Sequence, residues 1–441
     1  MSSVETASRR GALPRLLYSD DQGEIRDHPI LLALGMGGPE PVPLADCDPI
    51  PLPRSSDLFF LPGRTPIGWN PRTRRATSLT LDAEGRPLHA VAAFLAPAHT
   101  ATLLAAYETR PGSPALPLFC YGAVGFARGR HWAAARRVDP DIRQDPWRFD
   151  PIAIRRAVAG ELRRDPENTL LNQLRRCATE YQCRAAQNFF LQRHEAPLPI
   201  SPVCNSRCLG CISLQPDGRF KAAHERLGRA PRPEDVAAVA VRHIGRVPQA
   251  VVSFGQGCEG EPLLMRRVIT EAVRRIRTAT GEGTINLNSN ASLPEVVEEL
   301  AGLGLDSLRV SLNSVQRELY DAYYRPQGYT LDEVIGSIRV MTRRRRFVSL
   351  NLLYFPGVTD RPAEVEALGG LIERVGIEMI QLRNLNIDPE LYPRALPPGA
   401  FGPGMGLDAF QRALVCRFPR LRFGYFNPPK ERFLAWRAGA S

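Results

Sequence analysis

The stretch Pro199-Ile-Ser-Pro-Val-Cys204-Asn-Ser-Arg-Cys208-Leu-Gly-Cys211 decides how the rest of the chain reads. Its three cysteines stand at C-x3-C-x2-C, after an apolar run over 198–203 that predicts a strand emptying into a loop. Thiolates this close on one loop can converge on a soft metal centre, and iron–sulfur clusters take such ligands. A disulfide would leave one cysteine over. A structural zinc site asks for four ligands, and no fourth Cys or His follows closely, although His224 could reach. A cubane cluster on three cysteines leaves one iron open to another ligand, which points to chemistry rather than electron storage.

Downstream of this loop, strands and helices alternate, the pattern of parallel βα units. Six strands are predicted, at 198–203, 249–254, 284–290, 306–313, 347–353 and 377–383. Ser292-Leu-Pro-Glu295 and Thr330-Leu-Asp-Glu333 read as capping boxes. Asp360-Arg-Pro starts another helix with an early proline. Met265, Val268, Ile269, Ala272, Val273 and Ile276 form one apolar helix stripe with arginines on the other side. The second strand ends in Gly255-Gln-Gly-Cys-Glu-Gly-Glu-Pro262, where glycines let backbone approach a ligand closely.

With C-x3-C-x2-C after the first strand and Gly-Glu-Pro one βα unit later, residues 196 to about 386 resemble the radical S-adenosylmethionine (radical SAM) enzymes. The resemblance implies an α/β fold, an open six-stranded parallel (β/α)6 partial TIM barrel. It implies a 4Fe-4S cluster on Cys204, Cys208 and Cys211, with S-adenosylmethionine beside it. Glu261, flanked by Gly260 and Pro262, takes the position whose carboxylate binds the cofactor's amino group. Asn288, Asn290, Ser311, Asn313 and Asn351 fall where strand ends meet its methionine or ribose. Arg309 and Arg383 suit a carboxylate or phosphate, one on the cofactor and the other on a substrate acid. Two residues depart from the family pattern: Gly210 where an aromatic is usual, and Glu259 where glycine is frequent.

The implied reaction is reductive cleavage of S-adenosylmethionine to a 5′-deoxyadenosyl radical that takes hydrogen from a substrate. The electron would come from a donor such as flavodoxin or ferredoxin. No side chain is assigned as acid, base or radical donor. Cys258, close to the Gly-Glu-Pro motif, is either a hydrogen-atom donor or a packed thiol. Peptide or protein, RNA and small-molecule substrates all stay open. The rival reading is a cluster-binding protein without turnover, a sensor or scaffold; the intact Cys204, Cys208, Cys211 and Glu261 favour the enzyme.

The strands carry a second signal, independent of any family. If Ile285, Leu287, Leu308, Val310, Leu312, Val348, Leu350, Ile380 and Leu382 face helices, alternation sends Asn286, Asn288, Asn290, Arg309, Ser311, Asn313, Ser349, Asn351, Gln381 and Arg383 inward. Barrels of this kind usually fill with branched apolar side chains. An unpaired buried polar group costs ~1–3 kcal/mol, so this interior is expected to hold water or a polar ligand, unless a self-satisfied asparagine ladder accounts for some of these groups. The polar strand end Gln381 to Asp388 reads as a substrate border or as a capping loop.

A charge of +11 over 441 residues permits an anionic partner, RNA included, without establishing one. Only Lys221 and Lys430 among 57 basic residues are lysines, which looks like genome composition. Arg343 to Arg346 end a helix whose dipole they complement. The nine cysteines, odd in number and partly clustered, fit a reducing compartment. Met1 to Arg15 lacks a signal-peptide core, and no run approaches ~18 apolar residues, so the expectation is cytoplasmic with no membrane span.

Residues 1–150 are Pro/Gly-rich with strand-like runs at 29–33, 58–61, 89–94 and 116–121, predicting a mainly β accessory domain that holds substrate or shields the barrel. Residues 151–196 read as a helical connector, 197–392 as the radical SAM core and 393–441 as a C-terminal extension. Cys177 and Cys183 in the connector read as packed thiols or, with Cys258, as ligands of a second cluster. The extension holds an amphipathic segment at 407–418, a strand-like 421–425 and a single cysteine, Cys416, which argues against an auxiliary cluster there.

Overall fold

The structure is a computed structural model that describes residues 13–215, 218 and 221–439. Most of the Met1 to Arg15 stretch lies outside the described residues. Seven parallel strands form one sheet in sequential order: β1 (Glu195–Pro197), β2 (Val251–Phe254), β3 (Thr284–Ser289), β4 (Ser307–Leu312), β5 (Phe347–Tyr354), β6 (Met379–Asn384) and β7 (Arg422–Gly424). This is a parallel half-barrel, a partial TIM barrel.

Two strands differ from expectation. β1 lies at 195–197 rather than 198–203, because Pro199 and Pro202 have no N–H to continue a ladder. β7 comes from the C-terminal extension, with Arg422 beside Met379, so the barrel has a seventh strand beyond the six predicted.

Helices α1 (Pro233–Ile244), α2 (Arg266–Ala279), α3 (Pro294–Leu303), α4 (Arg317–Tyr324), α5 (Leu331–Arg343) and α6 (Pro362–Val375) follow the strands. On α2, Ile269, Ala272, Val273 and Ile276 are buried, and each large one contributes about 1.5–3 kcal/mol by leaving water. Thr330 and Glu333 form the capping box that starts α5. Ser292 does not cap α3: Leu293 holds that position, and Ser292 Oγ instead accepts from Asn205 Nδ2 at 3.0 Å. Pro362 opens α6 after Arg361.

The N-terminal region is mainly β, with strands between Arg15 and Arg137. Strands form at 25–36, 57–61 and 89–94, but 116–121 is irregular. Pro117 breaks its ladder, and Leu116 N donates instead to Asp388 Oδ2 at 2.8 Å. This region is pinned to the end of β6. Arg64 Nη2 meets Asp388 Oδ2 at 3.2 Å in a buried ion pair. Asn384 donates to His99 O at 2.9 Å and accepts from Ala101 N at 2.8 Å. At Asn384 and Asp388 the polar strand end is an anchor for the N-terminal region, where the sequence offered a substrate border or a capping loop.

The barrel floor is closed by the extension. Asn427 Nδ2 donates to Glu195 Oε1 at 2.8 Å, and its Oδ1 accepts from Gln381 Nε2 at 3.1 Å. Asn286 donates to Ser253 Oγ at 3.2 Å and Asn288 Oδ1 at 2.8 Å, and accepts from Ser307 Oγ at 2.8 Å. The lower interior thus satisfies its own polar groups. Only the upper layer is left to face a ligand.

Candidate active site

The loop after β1 is held from three sides. Gly260 N donates to Ser201 O at 2.7 Å and Glu261 N to Val203 O at 2.8 Å, pairing the Gly-Glu-Pro segment with the residues before Cys204. A Cβ on Gly260 would sit 1.9 Å from Val203 O, so only glycine permits this approach. From α4, Arg207 N donates to Tyr324 O at 3.0 Å and Leu209 N to Tyr323 O at 2.9 Å. From the end of β3, Asn290 Nδ2 donates to Asn205 Oδ1 at 2.8 Å and Ser206 Oγ at 3.0 Å.

Glu259, given no role by the sequence reading beyond its departure from the family pattern, is the central staple. Its Oε2 accepts from Ile200 N at 2.7 Å and Ser201 N at 2.8 Å, and its Oε1 from Gly255 N and Gln256 N at 2.8 Å each. One buried carboxylate thus joins both ligand-facing loops. Burial pushes its carboxyl up to about 8, while the four N–H donors hold it down. A Glu five residues past a strand, between Gly257 and Gly260, was the signal available in the sequence.

Cys204, Cys208 and Cys211 are all free and partly exposed. Burial raises the Cys208 thiol well above its usual range, and the neighbouring Cys211 and Cys204 raise it further. Burial, followed by Glu261, raises Cys204. Arg226 Nη2 lies 3.6 Å from Cys211 Sγ. Among the described residues no three His, Cys, Asp or Glu side chains converge on a single-ion site. Three closely spaced thiols on one loop are a donor set of the kind iron–sulfur clusters take, each iron with a separate thiolate. The His224 ring packs 5.2 Å from that of Tyr181.

A cleft of about 430 Å³ opens above these loops. Cys204, Cys208, Gly260, Glu261, Asn288, Asn290, Arg309, Ser311, Asn351 and Arg383 all line it, together with Gln144, Tyr324 and Tyr425, which the sequence reading did not single out. Asn313 and Pro262 do not. Asn313 is fully buried behind the sheet end, donating to Leu319 O at 2.9 Å and Tyr392 Oη at 3.0 Å. Pro262 sits inside the short helix that follows Glu261. Cys258 is also outside the lining, its Sγ 3.8 Å from Cys177 Sγ.

Glu261 Oε1 accepts from Ser289 Oγ at 2.6 Å and Leu263 N at 3.0 Å, and Oε2 from Asn290 N at 2.8 Å. A carboxylate has about four lone-pair sites, so one on Oε2 remains. Burial pushes this carboxyl up to about 7 against those three donors. Asn288 is committed to the frame through Phe254 O at 2.7 Å, and Gly255 (φ +78) packs so tightly that a Cβ would lie 1.7 Å from Asn288 O. A Cβ at Gly210, where an aromatic is usual in the family, would begin 3.1 Å from Tyr323 Oη, so a side chain there would require Tyr323 to shift by a few tenths of an ångström. Among the described residues no helix is long and apolar enough to cross a membrane.

Residues 198–368 match the sequence model of the Radical SAM superfamily. A probable GTP 3′,8-cyclase from Metallosphaera sedula is 26% identical over 52% of this chain and 66% of its own length. The FeMo cofactor biosynthesis protein NifB of Azotobacter vinelandii is 22% identical over 46% of this chain and 42% of its own. The chain thus spans two thirds or less of the length of these relatives. Among solved structures, a radical SAM methyltransferase from Sphaerobacter thermophilus aligns with a TM-score of 0.38 at 20% identity, over 52% of this chain and 66% of that one.

Proposed function

From a chain that belongs to the radical SAM superfamily through residues 198–368, we propose a radical SAM enzyme that carries a 4Fe-4S cluster on Cys204, Cys208 and Cys211. The carrying observation is the pairing of Gly260-Glu261 with Ser201-Val203, which brings the cysteine loop and the Glu261 carboxylate to one cleft. Bound there, the cluster and S-adenosylmethionine would supply one-electron reductive cleavage and hydrogen-abstraction chemistry.

The chain's own residues supply binding and orientation. The three thiolates hold the cluster, and Arg226 offsets negative charge at Cys211. Glu261 keeps one lone-pair site on Oε2 for the cofactor's ammonium group, while Ser289 and Asn290 fix the carboxylate's orientation. Ser311 and Asn351 border the cleft where the rest of the cofactor would lie. Gln144, Tyr324 and Tyr425 complete the cleft lining. Electrons would come from a small redox protein of the flavodoxin or ferredoxin type, in the cytoplasm.

Anaerobic iron and sulfide analysis with EPR tests this reading, followed by assay of 5′-deoxyadenosine release after reduction. About four irons per chain and a signal altered by S-adenosylmethionine are expected. No iron after anaerobic reconstitution would refute the enzyme. Iron without cleavage would leave a cluster-binding scaffold.

A further inference from the structure

Two guanidinium groups stand in the upper cleft without a carboxylate partner. Arg309 Nη1 donates to Gln381 Oε1 at 3.0 Å, and Arg309 Nε is buried with no hydrogen-bond partner. Arg383 Nε donates to Asn351 Oδ1 at 3.4 Å and its Nη2 to Tyr425 O, with the guanidinium 3.2 Å from the centre of the Tyr425 ring. Among the described residues both meet only amide and carbonyl oxygens and one aromatic face. Glu195, whose field reaches Arg309, is engaged by Asn427 on the floor. Burial first, and Arg383 second, lower Arg309 to about 9, so the two cations sense each other.

Like charges that share one cleft wall repel each other unless an anion joins them. We propose that Arg309 and Arg383 form the receptor for an oxyanion, carboxylate or phosphate, carried by the substrate; this rests on the radical SAM reading above. The cofactor's own carboxylate does not suit the pair. Its amino group, on the same carbon, is assigned to Glu261, which is tied to the end of β3. Arg383 stands on β6, three strand spacings further round the sheet, a backbone separation of roughly 14 Å at the usual inter-strand distance, whereas Arg309 on β4 is one spacing away, so a group held at Glu261 does not reach both arginines together. Guanidinium forks match the planar geometry of carboxylate and phosphate, and the strands hold both forks rigidly.

The test is equilibrium dialysis of the full, cluster-reconstituted chain against radiolabelled inorganic phosphate and, separately, acetate, with S-adenosylmethionine present. Saturable binding of one probe is expected, and which probe binds distinguishes phosphate from carboxylate. Arg309→Gln and Arg383→Gln should each weaken it about tenfold to a hundredfold, the loss of one charge-assisted hydrogen bond. Arg383→Lys should retain part of it, and Arg345→Gln, outside the cleft, all of it. Iron content unchanged from wild type shows that each variant folds.

No saturable binding of either probe overturns the proposal. So does binding that survives both substitutions, or binding seen only when S-adenosylmethionine is left out, which would hand the pair to the cofactor. Release of 5′-deoxyadenosine is scored separately in wild type. Its absence beside intact, Arg-dependent anion binding would sink the radical reading and leave the receptor standing.

Discussion

Replacing Glu259 with glutamine tests the central staple of the site. The carboxylate accepts four backbone N–H groups, two on each oxygen, and donates nothing. Burial favours a neutral carboxyl, up to about 8, but a proton on either oxygen would displace one of those N–H groups. The donors therefore call for the ionised form. Glutamine keeps one accepting oxygen and presents an NH₂ where two N–H groups point. Two buried donors then lose their acceptor, at ~1–3 kcal/mol each, giving a total of about 2–6 kcal/mol. At roughly 2 °C per kcal/mol this lowers the Tm by about 4–12 °C. Glu259→Ala removes all four acceptors but opens room for water, so the apparently conservative glutamine should be no milder than alanine. Differential scanning calorimetry with iron analysis on both variants is the assay. A glutamine variant with wild-type Tm and wild-type iron would show that the native carboxyl is neutral and that this reasoning is wrong.

Four further outcomes are expected. Cys208→Ala should drop iron to background; four irons surviving would place the cluster elsewhere. Cys258→Ala should leave iron and the EPR signal unchanged and cost about 1 kcal/mol or less, since its thiol meets Cys177 rather than the cleft; iron loss would make it a ligand. Glu261 has a folded value raised to about 7, so its stabilising contribution is present below the ordinary carboxyl range and fades as pH rises through about 7. Ionisation over that window makes it a better acceptor, so calorimetric S-adenosylmethionine affinity should rise from about pH 6 to 8. Glu261→Gln should flatten that rise and weaken binding about tenfold to a hundredfold at the upper end; an unchanged profile would remove Glu261 from the amine site. Asn427→Ala should cost about 2–5 kcal/mol by stranding buried partners on the floor, read by chemical denaturation; a wild-type midpoint would show that water replaces it.

The parts of this molecule that were legible in the sequence are those set by local rules. Period-two alternation put Asn286, Arg309 and Gln381 on the inner face, and cysteine spacing put three thiols on one loop. What stayed hidden depends on partners distant in sequence. Nothing near Asp388 says that Arg64 and Leu116 will claim it, 324 and 272 residues away. Glu259 looked like a flaw in a glycine pattern because its four donors come from two separate loops. Asn313 sits on the correct alternation, but Leu319 O and Tyr392 Oη draw it behind the sheet end.

Asn427 carries the same point into function. Alternation alone made the whole interior a candidate ligand chamber. One asparagine from the extension, reaching Glu195, Gln381 and the Ser253–Asn288 layer, closes the lower half. What remains open is a shallow upper layer with thiols and Glu261 on one side and two arginines on the other. A polar floor that satisfies itself holds those arginines in place without neutralising them. The extension is therefore a structural condition of the site as well as the seventh strand of the barrel.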